Sequence, residues 1–289
     1  MIQIHSSRPY LGDATDAIYG ALSFMPITQC VDVGAGEGKM AQAMLDSGPD
    51  VIVHAFEPFP NNHVFIKRRC GDNPRLRLHG AAVGTKTGKG HLHVKKTVQG
   101  TERGWEGKAG YSSLGRMVEE PGEKTLEVDV VSIDEAVPSH ISFLKVDVQG
   151  GELDVLASAR HHFDRRQVDL CYIEFSAEPG LPEFFAHHGW HLFYTPIMTI
   201  GKTPLAAKLL PTAERVKQGG LSSGHVCEYL WPADAPVGVS EFRAYLSALK
   251  RKFIGAQTDL VCVSPDFMPA FMEGVAGRLR ASRVALTPA

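Results

Sequence analysis

Short continuous apolar runs alternate with stretches of helical spacing along the first third of the chain. "DATDAIYGALSF" (13–24) has helical spacing and stops before Pro26. "CVDVG" (30–34) reads as a buried strand, and "GKMAQAMLDSG" (38–48) as a helix closed by Gly48. "VIVHAFEP" (51–58) is a second strand. "NNHVFIKRRCG" (61–71) is a helix capped by Asn61 or Asn62 and stopped by Gly71, and "RLRLHGAAV" (75–83) is a third strand. Strands and helices alternating this closely imply parallel strands joined by helical crossovers, an α/β doubly wound sheet.

The rhythm then breaks. "GHLHVKK" (90–96) and "TLEVDVVSI" (125–133) alternate in polarity like half-exposed strands. Between them lies a polar, glycine-rich stretch, 97–117, too long for an ordinary connection, which reads as either a functional, lid-like insertion or a disordered loop. The α/β pattern resumes with "ISFLKVDV" (141–148), "GELDVLASARHHF" (151–163), "QVDLCYIEFS" (167–176), "LPEFFAHHG" (181–189) and "WHLFYTPI" (190–197). Residues 198–235 are rich in Gly and Pro. A helix at 240–253, a last strand "TDLVCVS" (258–264) and a helix at 265–282 follow. The organisation expected is an N-terminal helical extension (1–29), a core (30–197) carrying the 97–117 insertion, and a C-terminal part (198–289) completing the same domain.

The first strand ends in a turn that carries chemistry. A strand-to-helix turn points backbone N–H groups into the crevice beyond the strand ends, where ligands of open α/β sheets sit. A dinucleotide site asks for G-x-G-x-x-G. Gly34 and Gly36 fit, but Lys39 occupies the third position. The better match is an acid two residues before the first glycine, Asp32-Val33-Gly34-Ala35-Gly36-Glu37-Gly38, the first motif of S-adenosylmethionine-dependent methyltransferases. A carboxylate such as Asp32 suits the ammonium of that cofactor, directly or through water. Glu57, closing the second strand, suits both ribose hydroxyls of a nucleoside, whether NAD or S-adenosylmethionine.

Three further acids qualify by position. Asp147 ends the fourth strand of the α/β rhythm, Glu152 opens the helix after "GG", and Glu174 lies near the end of the fifth strand. Any of them is a candidate base or substrate clamp, with Asp147 first. Each also has a plain structural reading, a helix cap for Glu152 and an ion pair for Glu174. In the long loop, Trp105 and Tyr111 suit stacking on a sugar, and Ser112 and Ser113 suit the cofactor carboxylate. His79 is the histidine best placed to line the crevice. His91 and His93 share a strand face but lack a third ligand, so no metal is expected.

Composition narrows the classes. The chain has 289 residues, 44% of them hydrophobic, and a net charge of -2, no electrostatic footprint for nucleic acid. Cys30, Cys70, Cys171, Cys227 and Cys262 are scattered with no Cys-x-x-Cys pair, as in a reducing compartment. The N-terminus lacks a basic start followed by an apolar stretch, and no run approaches the roughly 20 apolar residues of a membrane span. A cytoplasmic protein is expected.

Beyond the loop, "VDVGAGEG", "HAFEPFPNN", "HGAAVGTKTGKGHLHV", "GYSSL", "LEVDVVSIDE", "FLKVDVQGGELDVLASA" and "VDLCYIEFS" resemble, in order, successive blocks of the FkbM family of methyltransferases. The resemblance covers roughly residues 30–176. It implies a Rossmann-like class I methyltransferase fold, with a mostly parallel sheet, helices on both faces and an antiparallel last strand. It also implies S-adenosylmethionine as donor, S-adenosylhomocysteine as product, and O-methylation of a hydroxyl on a sugar or other small metabolite. The residues carried over are Asp32, Gly34, Gly36, Glu57 and Asp147, and Ala35, Pro58 and Ala81 fall in the same blocks. Gln149 stands where many relatives have an acid, which counts further against a metal. Two other readings stand beside this one. A Rossmann-type NAD-dependent oxidoreductase or epimerase is disfavoured by Lys39 and by the lack of a Tyr-x-x-x-Lys dyad. A methyltransferase-like binding module without catalysis is disfavoured by the intact acids.

Overall fold

The computed structural model describes residues 2–3, 14–94, 112–114, 124–148, 150–175, 180–199, 225–227, 230–231, 238–240, 243 and 256–284. The described chain forms two compact units, Pro26–Glu174 and Met1–Met25 with Phe175–Ala289.

The Pro26–Glu174 unit is built on five parallel strands: β1 (Gln29–Val33), β2 (Ile52–Phe56), β3 (Leu76–His79), β8 (Ile141–Val146) and β9 (Val168–Phe175). Their spatial order is β9-β8-β1-β2-β3. The chain winds outward from β1 through α1 (Lys39–Asp46) and α2 (Pro60–Cys70) to β3, then restarts on the other side of β1 with β8. The carboxyl ends of β1 and β8 therefore flank the topological switch point, the crevice where such sheets hold ligands. β1 and β8 are buried along their whole length, which is why they read as mostly apolar runs, interrupted in each by a charged residue, Asp32 and Lys145.

A second sheet in this unit orders β4 (Ala81–Val83), β7 (Lys124–Val131), β5 (Gly88–Val94) and β6 (Ser112–Leu114) as β4-β7-β5-β6. Phe59, Ala82, Leu92, Val128 and Val130 form its buried cluster. The sequence suggests one strand over 75–83. The chain instead leaves the parallel sheet at Gly80 and enters the second sheet at Ala81. A Cβ at Gly80 would stand 3.1 Å from the His63 ring. The single helix expected over 151–163 is two, α4 (Glu152–Ser158) and α5 (Arg160–Asp164), after α3 (Ile133–Ala136). Asp134 accepts from the His161 and His162 amides at the break. Nor does Asn61 or Asn62 cap α2. Pro60 is its first residue, where a missing N–H costs nothing, and Asn62 is buried.

In the other unit, β10 (His191–Thr199) follows α6 (Leu181–His187) and pairs antiparallel with β11 (Ala256–Val263), the antiparallel last strand expected. The helix Ala14–Leu22 lies against α7 (Met268–Val284), where Gly274 and Gly277 leave room for Met25 and Phe24. Cys30, Cys70, Cys171 and Cys262 are buried thiols outside any disulfide. Among the described residues no helix is long and apolar enough to cross a membrane.

Candidate active site

The turn after β1 is fixed by backbone bonds to the neighbouring strand. The amides of Gly34 and Ala35 both donate to the Phe56 carbonyl, at 3.0 and 3.1 Å, and the Gly38 amide closes the turn on Ala35. Gly34, Gly36 and Gly38 all have positive φ. Two of them serve different ends. A Cβ at Gly34 would lie 1.9 Å from the Asp147 carbonyl oxygen, so this glycine lets the loop press against the end of β8. A Cβ at Gly36 would meet nothing within 4 Å. Gly36 borders open space, a cradle that a side chain would fill.

That space is a cleft of about 410 Å³ at the switch point. Gly34, Ala35 and Gly36 line it from β1, Glu57 and Pro58 from β2, and Asp147 from β8. The second sheet adds an apolar wall of Ala81, Ala82, Val83 and Leu92. Five residues expected at the cofactor from the loop and the second strand end are thus together, and Ala81 and Asp147 join them.

Glu57 is only 4% exposed. Its Oε2 accepts from the Gly36 amide at 2.7 Å and its Oε1 from the Phe59 amide at 2.8 Å. The carboxylate therefore ties the glycine loop to the start of α2 while keeping an edge on the cleft. Burial pushes its pKa up to about 7, against the lowering pull of the Phe59 and Gly36 amides, Asn62 and Lys145.

Asp32 lies deeper than the other acids of the loop and strand ends. It is fully buried and is not among the cleft-lining residues. Lys145, its lateral neighbour on β8, stands between Asp32 and the cleft. The Lys145 Nζ lies 3.0 Å from an Asp32 oxygen and 3.7 Å from Asp147, and donates to the carbonyls of Gly34 at 2.7 Å and Val33 at 3.3 Å. Burial works against the charged amine, but the carboxylates of Asp32 and Asp147, with Glu174 beyond them, outweigh it and hold its pKa above the ordinary lysine value. Desolvation pushes the Asp32 carboxyl upward, and Lys145 opposes that shift. With two carbonyls also accepting from Nζ, the pair is an ammonium and a carboxylate.

The three candidate bases separate clearly. Asp147 keeps 40% of its side chain exposed and lines the cleft. Glu152 is fully buried, and its Oε1 accepts from the Gly150 amide at 2.8 Å, so that oxygen serves the loop before α4. Asp154, two residues on, lines the cleft instead. Glu174 lies near the end of β9 and is not among the lining residues. His79 is stacked on Phe56 and hydrogen-bonded to His54 at 3.1 Å, and it does not line the cleft either. Ser112 and Ser113 lie on β6, which pairs with β5 so that Leu114 stands opposite the cleft-lining Leu92. The rest of the lid expected over 97–117, with Trp105 and Tyr111, and Gln149 and most of 198–257 lie outside the described residues. Among the described residues, no three His, Cys, Asp or Glu side chains converge as metal ligands.

Lys145 and Asp154 are the site residues that the sequence reading passed over. A lysine inside "ISFLKVDV", a strand apolar on both sides of it, demands a buried carboxylate partner, and that signal points to Asp32.

Comparison with known proteins places the chain in a family. The family model for the methyltransferase FkbM domain matches residues 32–194, from Asp32 past Glu174. The chain belongs to the FkbM methyltransferase family. One curated relative, the 2-O-methyltransferase NoeI of Sinorhizobium fredii, is 24% identical over 161 residues, 50% of this chain and 62% of that protein. A methyltransferase FkbM from Methylobacillus flagellatus KT is similar over 53% of this chain and 36% of its own, with 19% identity and a TM-score of 0.34. A precorrin-6y C5,15-methyltransferase from Geobacter metallireducens GS-15 aligns over 91% of this chain and 93% of its own, with 10% identity and a TM-score of 0.41. The chain thus spans well under two thirds of the FkbM structure and slightly under two thirds of NoeI.

Proposed function

We propose that the cleft binds S-adenosylmethionine and that the protein transfers the methyl group to a hydroxyl of a sugar or other small metabolite. One observation carries the reading: at the switch point a glycine loop with an open cradle at Gly36, a strand-end carboxylate at Glu57 and a half-exposed carboxylate at Asp147 face one cleft. The 2-O-methyltransferase named among the relatives supports a hydroxyl acceptor. The acids on the described walls, Glu37, Glu57, Asp147 and Asp154, outnumber Lys39 and Lys145. That balance favours a cationic donor and an uncharged acceptor over a polyanion.

When bound, the cofactor supplies a methyl group on a cationic sulfur. The chain supplies position and charge. Gly34, Ala35 and Gly36 give a close backbone surface. Glu57 accepts from the ribose hydroxyls, and Ala81, Ala82 and Leu92 form an apolar face for the base. Asp147 accepts the proton that an alcohol must lose, since a neutral hydroxyl is a weak nucleophile. Calorimetry with S-adenosylhomocysteine and with NAD separates this reading from a dinucleotide site. Binding of NAD alone would replace it with the oxidoreductase reading. Transfer of labelled methyl to a panel of methyl glycosides tests the acceptor class.

The ionisation of Glu57 gives a pH test. Ribose hydroxyls donate to the carboxylate, so binding favours the ionised form and releases a proton. With a pKa of about 7 in the free protein, ionisation rises from roughly a tenth at pH 6 to nine tenths at pH 8. The affinity for S-adenosylhomocysteine should therefore strengthen about tenfold as pH rises across that window. Glu57→Gln should abolish this dependence and weaken binding at pH 8 by about 1.5–3 kcal/mol. A wild-type affinity that stays flat from pH 6 to 8 would remove Glu57 from the nucleoside.

A further inference from the structure

We propose that Lys145 is a positioning residue: its ammonium, backed by Asp32, holds the Gly34 carbonyl and Asp147 in place and so fixes the glycine loop. The geometry is that of a hub. Asp32 and Lys145 are lateral neighbours on β1 and β8, the two strands that flank the crevice. The Nζ touches the loop at Gly34 and Val33, the motif acid at Asp32, and the cleft acid at Asp147. Four carboxylates act on it: Asp32 and Glu174 from the two neighbouring strands β1 and β9, Asp147 just after its own strand β8, and Glu57 at the end of β2.

Taking the ammonium away leaves Asp32 and Asp147 repelling one another across the loop and turns the Gly34 carbonyl loose. The motif acid then acts behind the cleft wall rather than on the cofactor.

The proposal predicts different behaviour for three full-length variants. Lys145→Met leaves a buried carboxylate without its partner and should lower the urea midpoint markedly. Asp32→Asn/Lys145→Met removes both charges and should recover most of that loss. The amides of Gly34 and Ala35, hydrogen-bonded to Phe56, should nonetheless exchange with solvent roughly tenfold faster or more. Affinity for S-adenosylhomocysteine should stay at least roughly tenfold weaker than wild type. Asp32→Asn alone keeps the ammonium on Gly34, Val33 and Asp147, and its loop amides should exchange as in wild type.

The exchange measurement does not depend on any ligand. The calorimetry rests on the cofactor reading above. A wild type that fails to bind S-adenosylhomocysteine would sink that reading, and the exchange rates would still decide the role of Lys145. A double variant with wild-type loop exchange overturns the proposal. So does an Asp32→Asn variant whose loop opens as far as that of the double variant, because the pair rather than the ammonium would then hold it. A double variant that stays unfolded makes Lys145 a fold residue rather than a loop residue, and overturns it as well.

Discussion

Asp147→Asn is expected to lower turnover by roughly 10²–10⁴-fold, the usual range for loss of a general base. The substitution keeps the shape of the side chain and removes its charge. Lys145 keeps Asp32 at 3.0 Å and its two carbonyl acceptors, so the loop and the fold should hold. Affinity for S-adenosylhomocysteine should therefore change by no more than a few-fold. The measurement is single-turnover transfer of labelled methyl to whichever methyl glycoside the wild type accepts, with calorimetry run alongside. A large loss of affinity with near-normal turnover at saturation would make Asp147 a cofactor ligand. The base would then be sought at Asp154, the other described acid of this helix and strand end that lines the cleft. Glu152→Gln serves as the contrast. Its carboxylate is buried against the Gly150 amide, so the change should reach the loop and leave the proton transfer alone.

The placement of Glu152 and Asp154 shows where sequence reading stops. Period and strand length put Asp32, Glu57 and Asp147 at the carboxyl ends of strands, and the parallel order put those ends around one crevice. Rotation about a helix axis is harder to read. Two residues along a helix turn by about 200°, so Glu152 and Asp154 must face opposite ways. "GGELD" has acids at both positions, and although Glu152 is in phase with the apolar Val155 and Leu156, an acid in the first turn of a helix reads as an exposed terminus residue. The inward residue turned out to be Glu152, held by a loop amide that the sequence does not reveal.

A similar ambiguity hides the change of sheet at Gly80. "RLRLHGAAV" keeps one apolar rhythm while the chain passes from β3 to β4. The depth of Asp32 is hidden for another reason. An acid before the first glycine reads as a ligand of the cofactor, and only the lateral pairing of β1 with β8 shows that Lys145 stands in its way. The lateral partner of a strand residue depends on strand order, and strand order is a property of the whole fold.

Gly34→Ala is expected to destabilise the protein by about 4 kcal/mol or more, whereas Gly36→Ala should cost only the strain of its backbone, about 1–2 kcal/mol. Both glycines have positive φ, +76° at Gly34 and +55° at Gly36, so both substitutions carry that strain. The difference lies in what the methyl group meets. At Gly34 it would stand 1.9 Å from the Asp147 carbonyl oxygen and 2.9 Å from its carbon, both backbone atoms. Neither side can yield easily. The Gly34 and Ala35 amides are tied to Phe56, the Asp147 amide to the Val33 carbonyl, and the Gly34 carbonyl to Lys145. Relief requires parting the ends of β1 and β8 at the centre of the sheet. For a unit of this size, about 4 kcal/mol corresponds to a fall in Tm of roughly 8–16 °C. At Gly36 the methyl group would meet no atom within 4 Å. That variant should fold, with a small loss of Tm, and lose affinity for S-adenosylhomocysteine because the methyl group occupies the cradle. Thermal melts of the two variants, with calorimetry on Gly36→Ala, decide the matter. Equal Tm losses would mean that the loop does not press on β8 at Gly34. Unchanged affinity in a folded Gly36→Ala variant would mean that the cofactor does not lie against Gly36.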